Sequence, residues 1–299
     1  MNQPSGIIII DKPSGITSHN CISKLRYLLK IRRIGHCGTL DPLASGVLPI
    51  MIGSAVKASE YLVDHDKRYY AGIKLGLTTT TEDTTGEVLA RYEGDLPDYE
   101  QFCEVAKSFE GEIMQTPPMY SALKVGGVKL YDLAREGITV ERKARKVNIY
   151  SIEPERNGDE FFLDVRCSKG TYIRTLCADI GEKLGCGACM SSLTRSEVDV
   201  FTREDAIVFD DLNSMSVEEI LSHLIPVERM FMYLPEARMD EFFDRLFRQG
   251  QKIKLSKLRG IKGDVGDLFR VYDKNGFYAL GEITEIEGVK HFYQKKYFG

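Results

Sequence analysis

The sequence has no long hydrophobic run. Its densest apolar stretches, residues 7–10 and 47–52, are far shorter than the roughly 18 residues that a membrane-spanning helix needs. No Lys or Arg precedes the first stretch, so a secretory signal is not predicted. Seven cysteines, an odd number scattered along the chain, fit reduced thiols better than a disulfide framework. These absences predict a soluble cytoplasmic protein without membrane contact.

Several cofactor motifs are also missing. No GxGxxG follows a predicted strand, and neither a P-loop nor an HExxH sequence occurs, which argues against dinucleotide, nucleotide-triphosphate and zinc-protease sites. Cys186 and Cys189 form a single CxxC without a second pair or a nearby His, whereas a structural zinc site wants four ligands. We therefore predict that these two cysteines are buried small hydrophobic residues and that the chain binds no metal.

The order of the elements predicts an α+β fold with two domains, as the length of 299 residues suggests. Alternating residues predict a strand over 67–77, and apolar runs predict strands at 6–10 and 47–52. Thr17 or Ser18 can cap a helix that runs to about Lys30. Strands and helices are mixed without a βαβ rhythm. A hinge near residues 234–235 divides the chain into domains 1–232 and 233–299, the second small and β-rich.

The charge is unevenly distributed, although the net charge is −4. Residues 12–40 contain no Asp or Glu but six Lys and Arg, and residues 233–299 carry 13 Lys and Arg against 10 Asp and Glu. Contact with a polyanion depends on a local basic surface, not on the net charge. The basic residues at 24–33 are equally well explained as the solvated face of a helix.

Residues 35–46 form a loop with three glycines that holds Asp41 between Leu40 and Pro42. The proline restricts Asp41 to extended conformations and removes the next backbone N–H. An Asp in such a loop either stabilises a turn or presents a reactive carboxylate. His36 and Cys37 are adjacent in this loop and would point apart, so they are a weak thiol–imidazole pair.

Three further blocks contain candidate site residues. The strand 67–76 carries Tyr69, which could equally be a core aromatic. The block CSKGTYIRTL at 167–176 places Arg174 in the first turn of a helix, where the helix dipole disfavours a cation unless an anion compensates it. Segment 117–137, with Lys124 and Lys129, could be a long functional loop that contains a helix.

Together these blocks identify a family. In order and spacing, GIIIIDKPSGITS, RRIGHCGTLDPLASGVLPIMIG, KRYYAGIKLG, PPMYSALKVGGVKLYDLAREG and CSKGTYIRTLCADIGEKLG resemble the bacterial tRNA pseudouridine-55 synthases of the TruB type. The resemblance covers about residues 6–232. It implies the mixed, mainly antiparallel sheet of pseudouridine synthases flanked by helices, and a PUA-like RNA-binding domain at 233–299.

The resemblance also implies roles for individual residues. Asp41 would be the essential catalytic residue, Tyr69 would stack on the uracil near C5, and Arg174 would pair with Asp41. The implied substrate and RNA contacts are His36, Tyr172, Leu193, Lys12, Pro13, Lys124 and Lys129, with Lys12 and Pro13 supporting the floor of the site. A more basic Leu-Arg-Arg is common in the family where this chain has Leu193, Thr194 and Arg195, and that difference affects only a peripheral charge.

The implied reaction converts uridine 55 in the T loop of tRNA to pseudouridine. It breaks the glycosidic bond, turns the uracil and joins C5 to the ribose, so no group is oxidised and no cofactor is needed. Arg174 would hold Asp41 ionised and orient it through a fork-shaped contact. Tyr69 could accept the C5 proton, although a tyrosine pKa near 10 makes it a poor base unless the site tunes it. The expected partner is the tRNA T-arm, and the protein is expected to be a monomer without an obligatory protein partner.

Three other functions remain open at this stage. A uracil C5-methyltransferase would use Cys37 as nucleophile, but it would also need an S-adenosylmethionine site, of which there is no sign. A non-catalytic RNA-binding or chaperone module would have an inert pocket. A guide-RNA-dependent pseudouridine synthase shares the DKP and GTLDP blocks, whereas the intact segment 117–137 and the compact tail favour the stand-alone form.

Overall fold

The computed structural model describes residues 4–63 and 65–299. Its strands are, in chain order, β1 Gly6–Lys12, β2 Ile34–His36, β3 Ser45–Ile52, β4 Lys67–Leu75, β5 Leu77–Thr79, β6 Val88–Arg91, β7 Gly111–Gln115, β8 Lys124–Val125, β9 Val128–Lys129, β10 Arg145–Asn157, β11 Glu160–Cys167, β12 Ala188–Val198, β13 Phe201–Thr202, β14 Ala206–Val208, β15 Glu236–Arg238, β16 Ile253–Lys254, β17 Leu268–Asp273, β18 Gly276–Ile286 and β19 Val289–Tyr297.

The α-helices are α1 Ser18–Leu29, α2 Ser59–Val63, α3 Tyr99–Lys107, α4 Leu130–Arg135, α5 Ile173–Lys183, α6 Val217–Ser222 and α7 Glu241–Arg248. Short 3₁₀ segments lie at Gly53–Ala58, Arg203–Asp205, Phe209–Asn213, Val227–Phe231 and Leu255–Lys257. In the described part of the chain, no helix is both long enough and apolar enough to cross a membrane.

The larger sheet is mixed and mainly antiparallel, as predicted. Its strand order is β14-β1-β3-β12-β4-β11-β10-β7, with β2 paired to β3 and β13 paired to β12. The pairs β1–β14 and β12–β3 are parallel, and the others are antiparallel. Strand β12 therefore separates β3 from β4, and it brings the ends of all three strands to one region of the sheet.

Helix α1 begins and ends as its sequence predicts. The Thr17 side chain accepts a hydrogen bond from the backbone N–H of Asn20, whose own side chain accepts from the Thr17 N–H and completes a capping box. Lys30 ends the helix in the left-handed conformation, with φ of 55°. The apolar face of α1, which includes Ile22 and Leu25, packs into the main hydrophobic core beside β1 and β3.

The prediction for 67–77 is confirmed as β4, whose residues 69, 71, 73 and 75 are buried. Strand β7 and the segment 203–231 are among the regions for which no element was predicted. Strand β7 has mostly exposed residues, so it shows little alternation, and its pairing with β10 defines it. The segment 203–231 consists largely of short helical turns, and the sequence analysis assigned no elements there.

The predicted β-rich C-terminal part is confirmed as a five-stranded sheet of order β15-β17-β18-β19-β16. One hydrophobic cluster joins it to the larger sheet: Phe231 packs edge-on against Tyr61 and lies 5.8 and 6.1 Å, between ring centroids, from Phe298 and Phe277. Lys57 also donates to the carbonyl of Tyr297 at 2.8 Å. The division into domains 1–232 and 233–299 stays a prediction.

Candidate active site

One pocket of about 260 Å³ brings together Asp41, Tyr69 and Arg174. These residues come from three separate parts of the chain: the loop before β3, strand β4 and the first turn of α5. The pocket is lined by residues 38–41, 67, 69, 121, 122, 145, 170–174, 193 and 195. The convergence of a carboxylate, a phenol and a guanidinium in one cavity makes it the candidate active site.

The loop that carries Asp41 is fastened to residues 14–18 by main-chain and hydroxyl hydrogen bonds. The N–H of Gly15 donates to the carbonyl of Pro42 at 2.7 Å, and the Ser14 hydroxyl donates to the carbonyl of Leu43 at 2.7 Å. The Ser18 hydroxyl both donates to the carbonyl of Leu40 and accepts from its N–H, each at 2.9 Å. Asp41 is therefore presented by a fixed backbone, with its side chain 40% exposed.

Lys12 is fully buried beneath this loop. Its ammonium donates to the carbonyls of Pro13 at 2.9 Å and Ile16 at 2.7 Å, and lies 3.5 Å from that of Pro42. Burial lowers its pKa to about 8. The prediction that Lys12 contacts RNA directly is therefore wrong, because the side chain does not reach the surface. It supports the floor of the site, as the second part of the same prediction states.

Arg174 is 4% exposed and joins four groups. Its Nε lies 3.0 Å from Oδ2 of Asp41, its Nη1 donates to the carbonyl of Thr81 at 2.8 Å, and its Nη2 donates to the carbonyl of Tyr120 at 2.8 Å. The expected fork-shaped contact with Asp41 is wrong, because the two Nη groups bind main-chain carbonyls. A single N–H faces the carboxylate, so the contact holds Asp41 from one side.

Asp83 is the fourth group around Arg174, and the sequence analysis did not identify it. Its Oδ2 lies 3.9 Å from Nε of Arg174. Its Oδ1 accepts hydrogen bonds from the Thr81 hydroxyl at 2.8 Å and from the Thr85 backbone N–H at 2.9 Å. This buried carboxylate is held in place by the loop that follows β5, and it lies near the same Nε of Arg174 that contacts Asp41.

Tyr69 is buried on β4, and desolvation raises its pKa above the usual value. The site therefore tunes Tyr69 in the direction opposite to the one a general base needs. Arg195, the residue paired with Tyr69 on the neighbouring strand β12, lowers this pKa by its positive charge, but less than burial raises it. The predicted position of Tyr69 in the pocket agrees with the structure, whereas its protonation state at neutral pH does not suit a proton acceptor.

Comparison with known proteins places this geometry in a family. The model described as "TruB family pseudouridylate synthase (N terminal domain)" matches residues 26–173, and that of the "tRNA pseudouridylate synthase B C-terminal domain" matches residues 174–232. The chain belongs to the TruB family. Similar relatives are named tRNA pseudouridine synthase B. The Clostridium perfringens protein is 43% identical, and the match covers 94% of this chain and 96% of the relative. The Bacillus licheniformis protein is 48% identical, and the match covers 78% of this chain and 78% of the relative.

Solved structures with this fold include a Cbf5-Nop10-Gar1 complex. One of its chains matches with a TM-score of 0.73 and 29% identity, covering 98% of this chain and 85% of that chain. An H/ACA RNP bound to a substrate RNA containing 2'-deoxyuridine matches with a TM-score of 0.71 and 27% identity, at 98% and 85% coverage. These matches agree with the pseudouridine-synthase fold that the sequence motifs imply.

The remaining residues predicted from the TruB resemblance fall into two groups. Tyr172 and Leu193 line the pocket, and Tyr172 lies 5.1 Å from the guanidinium of Arg145 in a cation–π contact. His36 and Pro13 do not line the pocket: His36 ends β2, and Pro13 follows β1. Burial lowers the pKa of His36, with a further contribution from Arg195, so His36 is neutral at physiological pH.

Lys124 and Lys129 lie directly opposite each other on the small hairpin β8–β9. This hairpin follows Ser121 and Ala122, which line the pocket, and precedes α4. Segment 117–137 thus combines a hairpin and a short helix at the rim of the site, in agreement with the predicted loop with an internal helix. The Lys129 ammonium donates to the hydroxyl of Tyr131 at 2.8 Å.

Arg195 is a pocket residue that the sequence analysis did not identify. The family comparison concerned its neighbour Thr194, where an Arg is common, whereas the Arg195 side chain is 1% exposed and lines the pocket. Its Nε donates to the carbonyl of Val47 at 2.9 Å, and its Nη2 donates to that of Gly38 at 2.8 Å. The basic residue at the end of the Leu-Thr-Arg sequence was the available signal.

None of the seven cysteines lines the pocket. Cys37 is buried in the cluster shared with the C-terminal sheet, where its thiol contacts the carbonyl of Ser59 at 3.2 Å, and it does not line the pocket. A methyltransferase nucleophile at Cys37 is therefore wrong for this pocket. Cys186 and Cys189 are buried, as predicted. Among the residues that the structure describes, no group of His, Cys, Asp and Glu is placed to hold a metal ion.

Proposed function

We propose that this protein isomerises uridine 55 in the T loop of tRNA to pseudouridine, with Asp41 as the essential carboxylate. The observation that carries the proposal is the fixed, partly exposed Asp41, held on one side by Arg174 and facing a pocket that contains Tyr69. The relatives named tRNA pseudouridine synthase B support tRNA as the substrate. A tRNA substrate also favours the cytoplasm as the site of action.

The residues suit a reaction that imports no group. The bond between N1 and ribose C1′ breaks, the uracil turns and C5 bonds to C1′. The C5 proton then passes to water and N1 takes up a proton, so the product is an isomer of uridine. Asp41 can attack C1′ or C6, or remove a ribose proton, and all three roles require an ionised carboxylate. Arg174 contacts that carboxylate from one side, with its Nε 3.0 Å from Oδ2 of Asp41. Tyr69 keeps its proton and acts by stacking and hydrogen bonding, since burial raises its pKa.

The uridine must leave its stack to reach Asp41, which costs a few kcal/mol. Stacking of the uracil on the Tyr69 ring stabilises the flipped-out base by about 1–3 kcal/mol and so offsets part of this cost. In this proposal Lys124 and Lys129 contact RNA phosphates, since their hairpin β8–β9 follows Ser121 and Ala122, which line the pocket. We propose that segment 117–137 moves onto bound tRNA. Unchanged proteolytic cleavage of this segment with and without tRNA would contradict that movement.

The decisive experiment incubates the purified protein with an unmodified tRNA transcript, without guide RNA or other proteins, and maps the modified nucleotide. We expect pseudouridine at position 55 and release of tritium from C5-labelled uridine. Asp41→Asn should abolish tritium release while tRNA binding persists. Cys37→Ser is the control and should retain activity, because Cys37 lies outside the pocket.

Each alternative gives a different result. Binding of tRNA without tritium release would favour a non-catalytic RNA-binding module. Activity that appears only with a guide RNA would favour the guided form, which is worth testing because a chain of the Cbf5-Nop10-Gar1 complex shares the fold. Retained activity in Asp41→Asn would overturn the assignment of the catalytic residue.

A further inference from the structure

Arg145 lies on the wall between the candidate active site and a second cavity. It lines the pocket of about 260 Å³ that contains Asp41, and it also lines an adjoining groove of about 430 Å³. Gly170 is shared by the two cavities in the same way. A nucleotide in the pocket stays joined to its neighbours in the RNA chain. Its flanking phosphates therefore lie outside the space that the base occupies, and this groove adjoins that space.

The partly buried guanidinium of Arg145 is held in place without an anionic partner. Its centre lies 5.1 Å from the Tyr172 ring in a cation–π contact, and its Nη2 donates to the carbonyl of Gly170. In the part of the chain that the structure describes, its Nε has no hydrogen-bond partner and no carboxylate pairs with this side chain. Because a buried charge is ordinarily paired, an anionic ligand would compensate Arg145.

The groove beside Arg145 has a surplus of positive charge. Lys146 and Lys169 line it together with Arg145, whereas Glu112 is the one carboxylate among the described residues that line it. Lys146 and Glu112 pair at 2.8 Å, but their side chains are 69% and 65% exposed, so solvent screens this pair and its contribution is small. The groove therefore favours a polyanion such as an RNA backbone.

We propose that Arg145 binds one of the two phosphates that flank the target uridine, and that the groove holds the RNA backbone on that side. The proposal rests on the proposed function, because it places the uridine in the pocket. An arginine suits this role, since its planar guanidinium presents several N–H donors to phosphate oxygens. In a purely structural role, Arg145 would only hold Tyr172 and Gly170 in place.

Binding measurements with modified RNA distinguish the two roles. Synthetic T-arm stem-loops carry one uncharged methylphosphonate, either at a phosphate flanking uridine 55 or at a phosphate in the distal stem. The proteins carry Asp41→Asn, so that they bind the RNA without turnover. One flanking methylphosphonate should weaken binding about 10-fold, as the loss of a charge-assisted hydrogen bond does, and the distal one by less than about twofold. In Arg145→Gln the flanking effect should disappear, because both changes remove the same contact.

Two further measurements separate contact with RNA from a structural role. The slope of log Kd against log salt concentration should fall by about 0.7–0.9 in Arg145→Gln, the value for one phosphate contact, and should not change in Arg145→Lys, which keeps the charge. In single-turnover tritium release, Arg145→Gln should need about 10-fold more enzyme to reach half its maximal rate, with that maximal rate within about twofold of the wild type. A lower maximal rate with an unchanged slope would show a structural role and overturn the proposal.

Arg156→Gln is the matched control. Arg156 also lies on β10, also contacts an aromatic ring, that of Phe161 at 5.7 Å, and also donates to a glycine carbonyl, that of Gly158 at 2.7 Å. It lies at the opposite end of the strand, so its replacement should leave the affinity, the salt slope and the rate unchanged. Equal losses in Arg156→Gln and Arg145→Gln would assign the effect to general destabilisation and overturn the proposal.

Arg145→Lys takes the place of Arg145→Gln in the RNA measurements if the glutamine variant does not fold. The effect of the flanking methylphosphonate should then be reduced, since a single ammonium replaces several donors. A flanking effect that is absent with Arg145 present, or equally large in the variant, would overturn the role of Arg145. A wild type that forms no pseudouridine in unmodified tRNA would instead overturn the proposed function itself.

Discussion

Replacement of Arg174 should affect both folding and catalysis. Arg174→Lys keeps the charge, but a single ammonium cannot reach the Thr81 and Tyr120 carbonyls as well as Asp41. The loss of one charge-assisted hydrogen bond, about 1.5–3 kcal/mol, is the smallest expected cost. Arg174→Met removes all three contacts and leaves Asp83 without its cation, so it should cost about 3–5 kcal/mol.

Urea unfolding and tritium release measure the two effects separately. The contact between Arg174 and the partly exposed Asp41 contributes little to stability, because solvent screens it. It contributes to the rate by orienting the carboxylate, so the lysine variant should lose about 10²-fold in single-turnover release. The lysine variant should therefore be folded at 25 °C and slow, whereas the methionine variant should be both unstable and inactive.

Arg156→Lys is the control for this prediction. Arg156 is an exposed arginine on β10, where its Nη2 lies 3.6 Å from Oδ1 of Asp159. Such a pair contributes about 0–1 kcal/mol, so the control should keep its stability and activity. If Arg174→Lys kept the stability and the activity of the wild type, the prediction would be refuted. The buried hydrogen bonds of Arg174 would then contribute measurably neither to the free energy of unfolding nor to the rate of tritium release.

Three other predictions concern stability, each read from urea unfolding. Relative to Lys12→Met, the wild type should gain stability as the pH rises from 8 to 10.5, by at most ~3 kcal/mol. Lys12 has a pKa of about 8 when folded and 10.5 when unfolded, so the unfolded chain binds more protons in this range. A stability difference that does not change with pH would contradict this prediction. Gly46→Ala should prevent stable folding, since its Cβ would lie 2.2 Å from the Arg195 carbonyl at φ +101°. Gly35→Ala should be mild, because its Cβ would meet only Val56 Cγ1 at 3.8 Å and its φ is not positive. Phe231→Ala should cost about 3–5 kcal/mol, and a loss below 1 kcal/mol would mean that the shared cluster does not hold the two sheets together.

The sequence predicted the local features of the site because those features have local causes. Pro42 and the flanking glycines fix the loop of Asp41, and the alternation in β4 turns Tyr69 inward. The first turn of α5 places Arg174 where it needs an anion, and Asp41 is that anion. Each of these inferences depends on a few neighbouring residues.

The features that the sequence analysis missed or predicted wrongly depend on contacts between segments that are distant in sequence. Arg195 lies among polar neighbours near the end of a strand, which is typical of a solvated side chain, and it is buried because β12 inserts between β3 and β4. Lys12 was predicted to contact RNA, but the Asp41 loop covers its side chain. The predicted fork-shaped contact between Arg174 and Asp41 does not form, because the two Nη groups donate to the carbonyls of Thr81 and Tyr120, which are distant in sequence.

The insertion of β12 also bears on when the enzyme becomes competent during synthesis. Until Ala188–Val198 leaves the ribosome, β3 and β4 have no partner along the edges where β12 will pair, and a nascent chain carries two unfinished half-sheets. Asp41, Tyr69 and Arg174 have by then all been translated, yet nothing joins the halves that bear them. The carboxylate and the phenol therefore meet only after about two thirds of the polypeptide has been made, when one late strand closes the gap.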